Sequence, residues 1–225
     1  MGSYQIIPLK LQFSNAFLLK GEKIALVDTG VASDLPKLIK LLAVHKVTLK
    51  ELDCVLLTHA HGDHVGNAKQ IQDEFKCPIA IHPADVDRLK EGYNGKLKPV
   101  YAGTQLITKV VPQRFTPVTD NLTMIEEGPL DFFDSDIQVF HTPGHTPGSV
   151  SLGIDSENVL AGDLLIGGYL GGVFRSHIAR YPYFADSLEE VRTSTKKLLA
   201  ESYQTYYLGH GGPVSKNSVK GLIQG

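Results

Sequence analysis

Thr58-His59-Ala60-His61-Gly62-Asp63-His64 is the stretch whose reading decides the fold. It follows directly on Asp-Cys-Val-Leu-Leu-Thr (residues 53–58), a continuous apolar run of the kind found in a strand buried on both faces. His59, His61, Asp63 and His64 are therefore four candidate metal ligands on a loop with a rigid base. Imidazole nitrogen and carboxylate oxygen suit zinc, iron or manganese better than calcium. In extended backbone, residues two apart point the same way, so His59 and His61 can converge on one ion. Asp63 and His64 then face elsewhere, which points to a second ion.

Moving outward, three more positions sit in similar punctuation. His145 lies in His141-Thr142-Pro143-Gly144-His145-Thr146-Pro147-Gly148. Asp163 ends Leu160-Ala161-Gly162-Asp163, and His210 lies in Leu208-Gly209-His210-Gly211-Gly212-Pro213. Each follows an apolar run and stands among glycines or prolines, which let the chain bend sharply and present a side chain at a strand end. One such position is weak evidence; three added to the first cluster make a site by convergence.

The elements between these motifs read as two similar halves. Ile6–Lys10, Phe13–Lys20 and Lys23–Asp28 are strands of a meander. Ser33 or Asp34 then caps a helix with Pro36 in its first turn and Leu35, Leu38, Ile39 and Leu42 on one face. A second helix is expected from about Val65 to Phe75, a strand over Pro78–His82 and a short helix over Ala84–Lys90. Glu91–Pro117 reads as a loop-rich insertion over one end of the fold. In the second half, Leu130–Phe133, Ile137–Thr142, Ser149–Ile154, Asn158–Ala161 and Thr205–Leu208 read as strands. Ser187–Glu201 reads as a helix. No linker or shift of composition divides the chain, so residues 1–225 are expected to form one domain of the mixed α/β (α+β) class, with sheets covered by helices on their outer faces.

Composition narrows the function. The 225 residues carry 42% hydrophobic and 20% charged side chains, which excludes a disordered chain. A formal net charge of −2 argues against nucleic acid or an anionic membrane as partner. No segment reaches the roughly 18 consecutive apolar residues of a membrane helix. Leu11–Leu19 is interrupted by Gln12, Ser14 and Asn15, a poor signal-peptide core. Two cysteines, Cys54 and Cys77, make no disulfide framework, so a cytoplasmic location is expected. The expected partner is a small-molecule substrate. A homodimer is compatible with the sequence but indicated by no feature of it. The unusual count is nine histidines.

His-X-His-X-Asp-His, the Thr-Pro-Gly-His-Thr-Pro-Gly turn, Gly-Asp and Gly-His-Gly together resemble the metallo-β-lactamase-fold superfamily, and the motifs span Asp28 to His210. The resemblance implies a four-layer αββα sandwich of two pseudo-equivalent halves with the metal site at one edge. It implies that His59, His61 and His145 hold one divalent ion, that Asp63, His64 and His210 hold a second, and that Asp163 bridges them. Zinc is the first expectation for both, with iron or manganese as alternatives. A hydroxide between the ions is then the nucleophile, and Asp63 is the candidate to hold or shuttle a proton. Asp28, in Val27-Asp28-Thr29-Gly30, matches a further family element and is expected to accept the outward N–H of a metal-bound histidine. The alternative for Asp28 is a plain strand-end turn.

The bridging aspartate is a feature of glyoxalase II-like hydrolases, lactonases and phosphodiesterases rather than of true β-lactamases. About 15 residues follow His210, so the helical region with which glyoxalase II grips glutathione is not expected. The tyrosine that acyl-homoserine lactonases place after the bridging aspartate is replaced here by Leu164-Leu165-Ile166. The expected activity is hydrolysis of a thioester, ester or lactone. The alternatives are a mononuclear iron persulfide dioxygenase, a phosphodiesterase of the same fold and a non-enzymatic binding protein. Of the other histidines, His45 is expected at the surface, His82 in a capping or core role, and His141 near but outside the ligand set. His177, with Tyr181, Tyr183, Arg175 and Arg180, is a candidate for the substrate rim.

Overall fold

The alternation of apolar residues along the central strands dictates the layering. A computed structural model of the chain describes residues 4–109 and 111–224. Strands β1 (Gln5–Lys10), β2 (Asn15–Lys20), β3 (Ile24–Val27), β4 (Cys54–Leu56), β5 (Ile79–Ile81) and β6 (Leu122–Met124) form one six-stranded sheet in that order. The first three are antiparallel, and β3 to β6 are parallel. Strands β7 (Gly128–Leu130), β8 (Asp134–His141), β9 (Val150–Gly153), β10 (Asn158–Leu160), β13 (Thr205–Tyr207) and β14 (Val214–Ser215) form the second sheet, in the order β14-β13-β10-β9-β8-β7.

Successive side chains on a strand point to opposite faces. In β2, Phe17 and Leu19 enter the core between the sheets, and Leu18 points to the outer face. In β4, Cys54 and Leu56 point inward and Val55 outward. The inner face of the second sheet meets them with Ile137, Val139, Val150, Leu152 and Leu160. The outer face of the first sheet packs on helices α1 (Leu35–Val44) and α3 (Ala68–Phe75) through Leu38, Leu42 and Ile71. The outer face of the second packs on α5 (Leu188–Ala200) and α6 (Lys216–Gln224) through Val191, Leu198 and Val219. Four layers result, helix–sheet–sheet–helix, as the resemblance implies.

Several sequence expectations need correction. The strand expected from Phe13 begins at Asn15, because the Leu11 N–H donates to the Ser14 carbonyl and closes a turn. The helix expected over Val65–Phe75 is two pieces, α2 (Gly62–Val65) and α3, separated at Gly66-Asn67. Asn67 Nδ2 donates to the carbonyls of Thr29 and Val31, tying that break to the end of β3. The strand expected over Leu130–Phe133 is the end of β7 followed by a turn. Asp34 does not cap α1 with its side chain; its carboxylate accepts from Val31 N and Gln12 N instead. The stretch after Asp163, for which the sequence suggests no element, forms a two-stranded hairpin, β11 (Ile166–Tyr169) and β12 (Phe174–Arg180). Ser187 does cap α5, accepting from Glu190 N. Between α4 (Val86–Glu91) and β6, the expected insertion holds a 3-10 turn over Thr104–Lys109.

Candidate metal centre

The site forms where strand ends of the two sheets meet. Asp28 follows β3, the 59–64 loop follows β4, His145 lies between β8 and β9, Asp163 follows β10 and His210 follows β13. Backbone bonds lock these loops together. The Val150 N–H donates to the Thr58 carbonyl at 2.9 Å, Thr29 N to His64 O at 2.6 Å and Gly209 N to Gly162 O at 2.9 Å. Gly209 is obligatory, since a Cβ there would overlap Asp163 Oδ1 and crowd His64 Cε1.

All seven sequence-predicted candidates come together. Donor atoms of His59, His61 and His145 lie within 4.8 Å of one another, as do those of His59, His64 and Asp163, and those of Asp63, His64 and His210. The outward ring nitrogens are anchored. His145 Nδ1 donates to Phe184 O at 2.8 Å, and His210 Nδ1 to Phe13 O at 2.8 Å. His64 Nδ1 donates to Asp28 Oδ2 at 2.8 Å. Thr58 Oγ1 donates to Asp28 Oδ2 and so accepts from His59 Nδ1 at 3.0 Å. These bonds turn the Nε2 atoms of four rings inward. His61 presents the other nitrogen: its Nδ1 lies 2.9 Å from His145 Nε2, a contact that calls for a proton or a cation between them. Asp28 thus accepts from the outward nitrogen of His64 and from the Thr58 hydroxyl. It adopts a left-handed backbone (φ 59°), which puts both carboxylate oxygens on the loop after β4.

Of the atoms turned into the site, the buried His59 Nε2, His64 Nε2 and Asp163 Oδ1 have no hydrogen-bond partner among the described residues. Buried polar atoms are rarely left so. A nitrogen–oxygen donor set of this kind fits divalent zinc, iron or manganese. Electrostatics divides the site. Burial holds His59, His61 and His145 below the usual imidazole range, which keeps them neutral. Burial also opposes charge on His64 and His210, but the neighbouring carboxylates win. Asp163, Asp28 and Asp63 raise His64 well above the usual range, and Asp163 and Asp63 raise His210 to about 10. Despite their own burial, Asp63 and Asp163 are held below the usual carboxylate range by His64 and His210.

The family model of the metallo-beta-lactamase superfamily matches residues 9–210. The chain belongs to that superfamily. Among its relatives, an uncharacterized protein of Mycobacterium leprae is 32% identical over 163 residues, 70% of this chain and 68% of its own. A probable metallo-hydrolase of Methanocaldococcus jannaschii is 28% identical, with 68% and 67% covered. A solved protein in a di-iron-bound form is 27% identical, with a TM-score of 0.64 over 95% of this chain and 96% of its own. A metallo-beta-lactamase family protein of Thermus thermophilus shares the fold, with a TM-score of 0.70 and 22% identity over 99% of this chain and 78% of its own. As a member of a metallo-hydrolase superfamily carrying this donor cluster, the chain is a metal-dependent hydrolase in the general sense.

Asp85 is the positioning residue that sequence reading misses. It is fully buried, and its carboxylate accepts from Ala60 N at 2.8 Å, Gly148 N at 2.7 Å and Thr146 Oγ1 at 2.7 Å. It therefore ties the His59–His61 loop to the His145 turn. Its only sequence signal is a place in Pro83-Ala84-Asp85, where an acidic residue reads as a helix start. Asn94 acts likewise, its Oδ1 accepting from Gly62 N and its Nδ2 donating to Pro112 O. Of the remaining histidines, His45 closes α1, and His82 accepts from Ala84 N and stacks on His141 at 4.1 Å. His177 is exposed on β12 and does not line the cavity over the site; of the expected rim residues, Tyr183 does. Arg180 lies over the rings of Tyr101 and Tyr169, Arg175 over Phe174, and Arg192 over Tyr181.

Proposed function

We propose that this protein is a dinuclear hydrolase of the glyoxalase II-like type that adds water to the carbonyl of a thioester, ester or lactone. The observation that carries this reading is the Asp163 carboxylate. Its Oδ1 lies 3.5 Å from His64 Nε2, and its Oδ2 lies 3.1 Å from His210 Nε2 and 3.5 Å from His145 Nε2, so the carboxylate stands between the two donor groups. His59, His61 and His145 would hold one ion, Asp63, His64 and His210 the second, and Asp163 both. Divalent ions in such a site lower the pKa of water to about 7 and polarise a substrate carbonyl.

The chain's own residues orient and exclude. Asp28 and Thr58 fix the His64 and His59 rings, and the Phe184 and Phe13 carbonyls fix His145 and His210. Asp63, with Oδ2 3.3 Å from His210 Nε2, would be the carboxylate that holds a proton at the polar base of the site. Zinc is the first choice of ion and iron the alternative, since a similar solved protein is in a di-iron-bound form. The free, buried Cys54 and Cys77 fit a reducing, cytoplasmic setting. Burial raises both thiols, Cys77 to about 12, so neither competes as a nucleophile.

The test is to strip the protein with a chelator, reload it with zinc, manganese or iron, and count bound equivalents while assaying S-lactoylglutathione, acyl thioesters and lactones. Two equivalents with restored hydrolysis are expected. One equivalent of iron with oxygen uptake on a persulfide would sink the proposal in favour of dioxygenation.

A further inference from the structure

A cavity of about 350 Å³ opens over the donor cluster. Its floor is polar, formed by His61, Asp63, His145, Asp163 and His210. Its walls are apolar: Leu97, Ile107 and Val111 come from the insertion before β6, and Ile166, Leu170 and Phe184 come from the chain after β10. Among the described residues, no lysine or arginine lines it. The nearby Arg88 is paired with Asp186, and Arg180 lies over the Tyr101 and Tyr169 rings. At the rim, Phe13 and Leu170 are 47% and 75% exposed, so the apolar wall continues outward to solvent.

We infer that the substrate presents an uncharged, aliphatic acyl chain of medium length to this cavity, with the scissile carbonyl on the polar floor. The inference rests on the hydrolase reading above and names its substrate class. A charged acyl group lying against these walls would lose hydration with no lysine or arginine to replace it. A polar leaving group meets the same obstacle and stays at the open mouth, which leaves the acyl chain as the occupant of the cavity. At about 30 Å³ for each water-sized group, the volume takes roughly a dozen such groups. That matches a chain of about eight carbons and its ester linkage. Each methylene moved from water into such walls favours binding by about fourfold.

The experiment is a series of p-nitrophenyl esters and matching thioesters from acetyl to decanoyl, assayed on the metal-loaded full chain, with bis-p-nitrophenyl phosphate alongside. kcat/KM is expected to rise at least about a hundredfold from acetyl to octanoyl. Ile107→Asp should lower the octanoyl-to-acetyl ratio at least about tenfold. As a readout independent of turnover, octanamide should bind the full chain with a negative heat-capacity change, and acetamide should not bind detectably. A chelator-sensitive activity that is flat or falls with chain length overturns this inference and leaves the hydrolase reading standing. Absence of any ester or thioester hydrolysis, with or without phosphodiester cleavage, overturns both.

Discussion

The Asp28 carboxylate meets His64 Nδ1 at 2.8 Å in a fully buried pair, and the same oxygen accepts the Thr58 hydroxyl at 2.8 Å. A residue before the first helix thus sets the tautomer of one ring directly and of the His59 ring through Thr58. Asn is the informative replacement, because it tolerates the left-handed backbone at this position. Asp28→Asn should fold, lose roughly 10–100-fold in metal affinity and lose activity to match. Metal titration followed by chromophoric chelator competition measures this. Wild-type affinity in the variant would remove Asp28 from the site.

Gly209→Ala tests the convergence by steric means. A methyl group there overlaps Asp163 Oδ1 and crowds the His64 ring, while Gly209 itself lies in a loop just after β13. The expected result is a folded protein, by far-UV circular dichroism, with fewer than two bound equivalents and no detectable hydrolysis. Full metal content would show that the loop yields and that Asp163 is not tightly placed.

Those seven donors are legible in sequence because each stands at a strand end among glycines, prolines or other ligands, where the local pattern has few other uses. The sandwich is legible through its alternating strands and through α5. What stays hidden has physical reasons. The β11–β12 hairpin contains Gly167, Gly168, Gly171 and Gly172, which erase any period-2 pattern, and its register shifts between Gly167 and Tyr169. Strand β6 has three residues, none fully buried, and depends on its parallel pairing to β5. Helix α6 follows β14 directly and buries little beyond Val219, so its apolar face is thin. Asp85 is invisible because its partners, Ala60 N, Gly148 N and Thr146 Oγ1, are distant in sequence.

Metal uptake should release protons. In chelator-stripped protein at pH 7, His210, raised to about 10, and His64, raised well above its usual range, both carry a proton that a divalent ion must displace. Affinity at the Asp63–His64–His210 group should therefore fall as pH is lowered. His59, His61 and His145 are already neutral and should release none. The stripped protein should show the opposite trend in stability. The His210 contribution is fully present below the ordinary imidazole value of about 6.5 and is lost as pH rises through about 10. Calorimetric titration in buffers of different ionisation enthalpy counts the protons. Equal proton release from both donor groups would contradict the division.

Asp85 offers the sharpest separation of scaffold from chemistry. Its carboxylate is fully buried and its bonds go to Ala60, Thr146 and Gly148 rather than to a candidate metal ligand, yet it holds the backbone beside His59 and His61 against the turn that carries His145. Asp85→Ala leaves two buried N–H groups and a buried hydroxyl without their acceptor, a cost of roughly 3 kcal/mol or more. It should lower the denaturation midpoint and also loosen the His61–His145 approach. Asp85→Asn can still accept through one oxygen but meets the remaining donors with its own N–H, so an intermediate loss of stability is expected. The decisive comparison is zinc affinity measured well below the unfolding midpoint. If Asp85 positions the two loops, affinity for the first ion falls in the order wild type, Asn, Ala. If both folded variants bind zinc as tightly as wild type, the carboxylate serves stability alone and the ligand loops hold themselves.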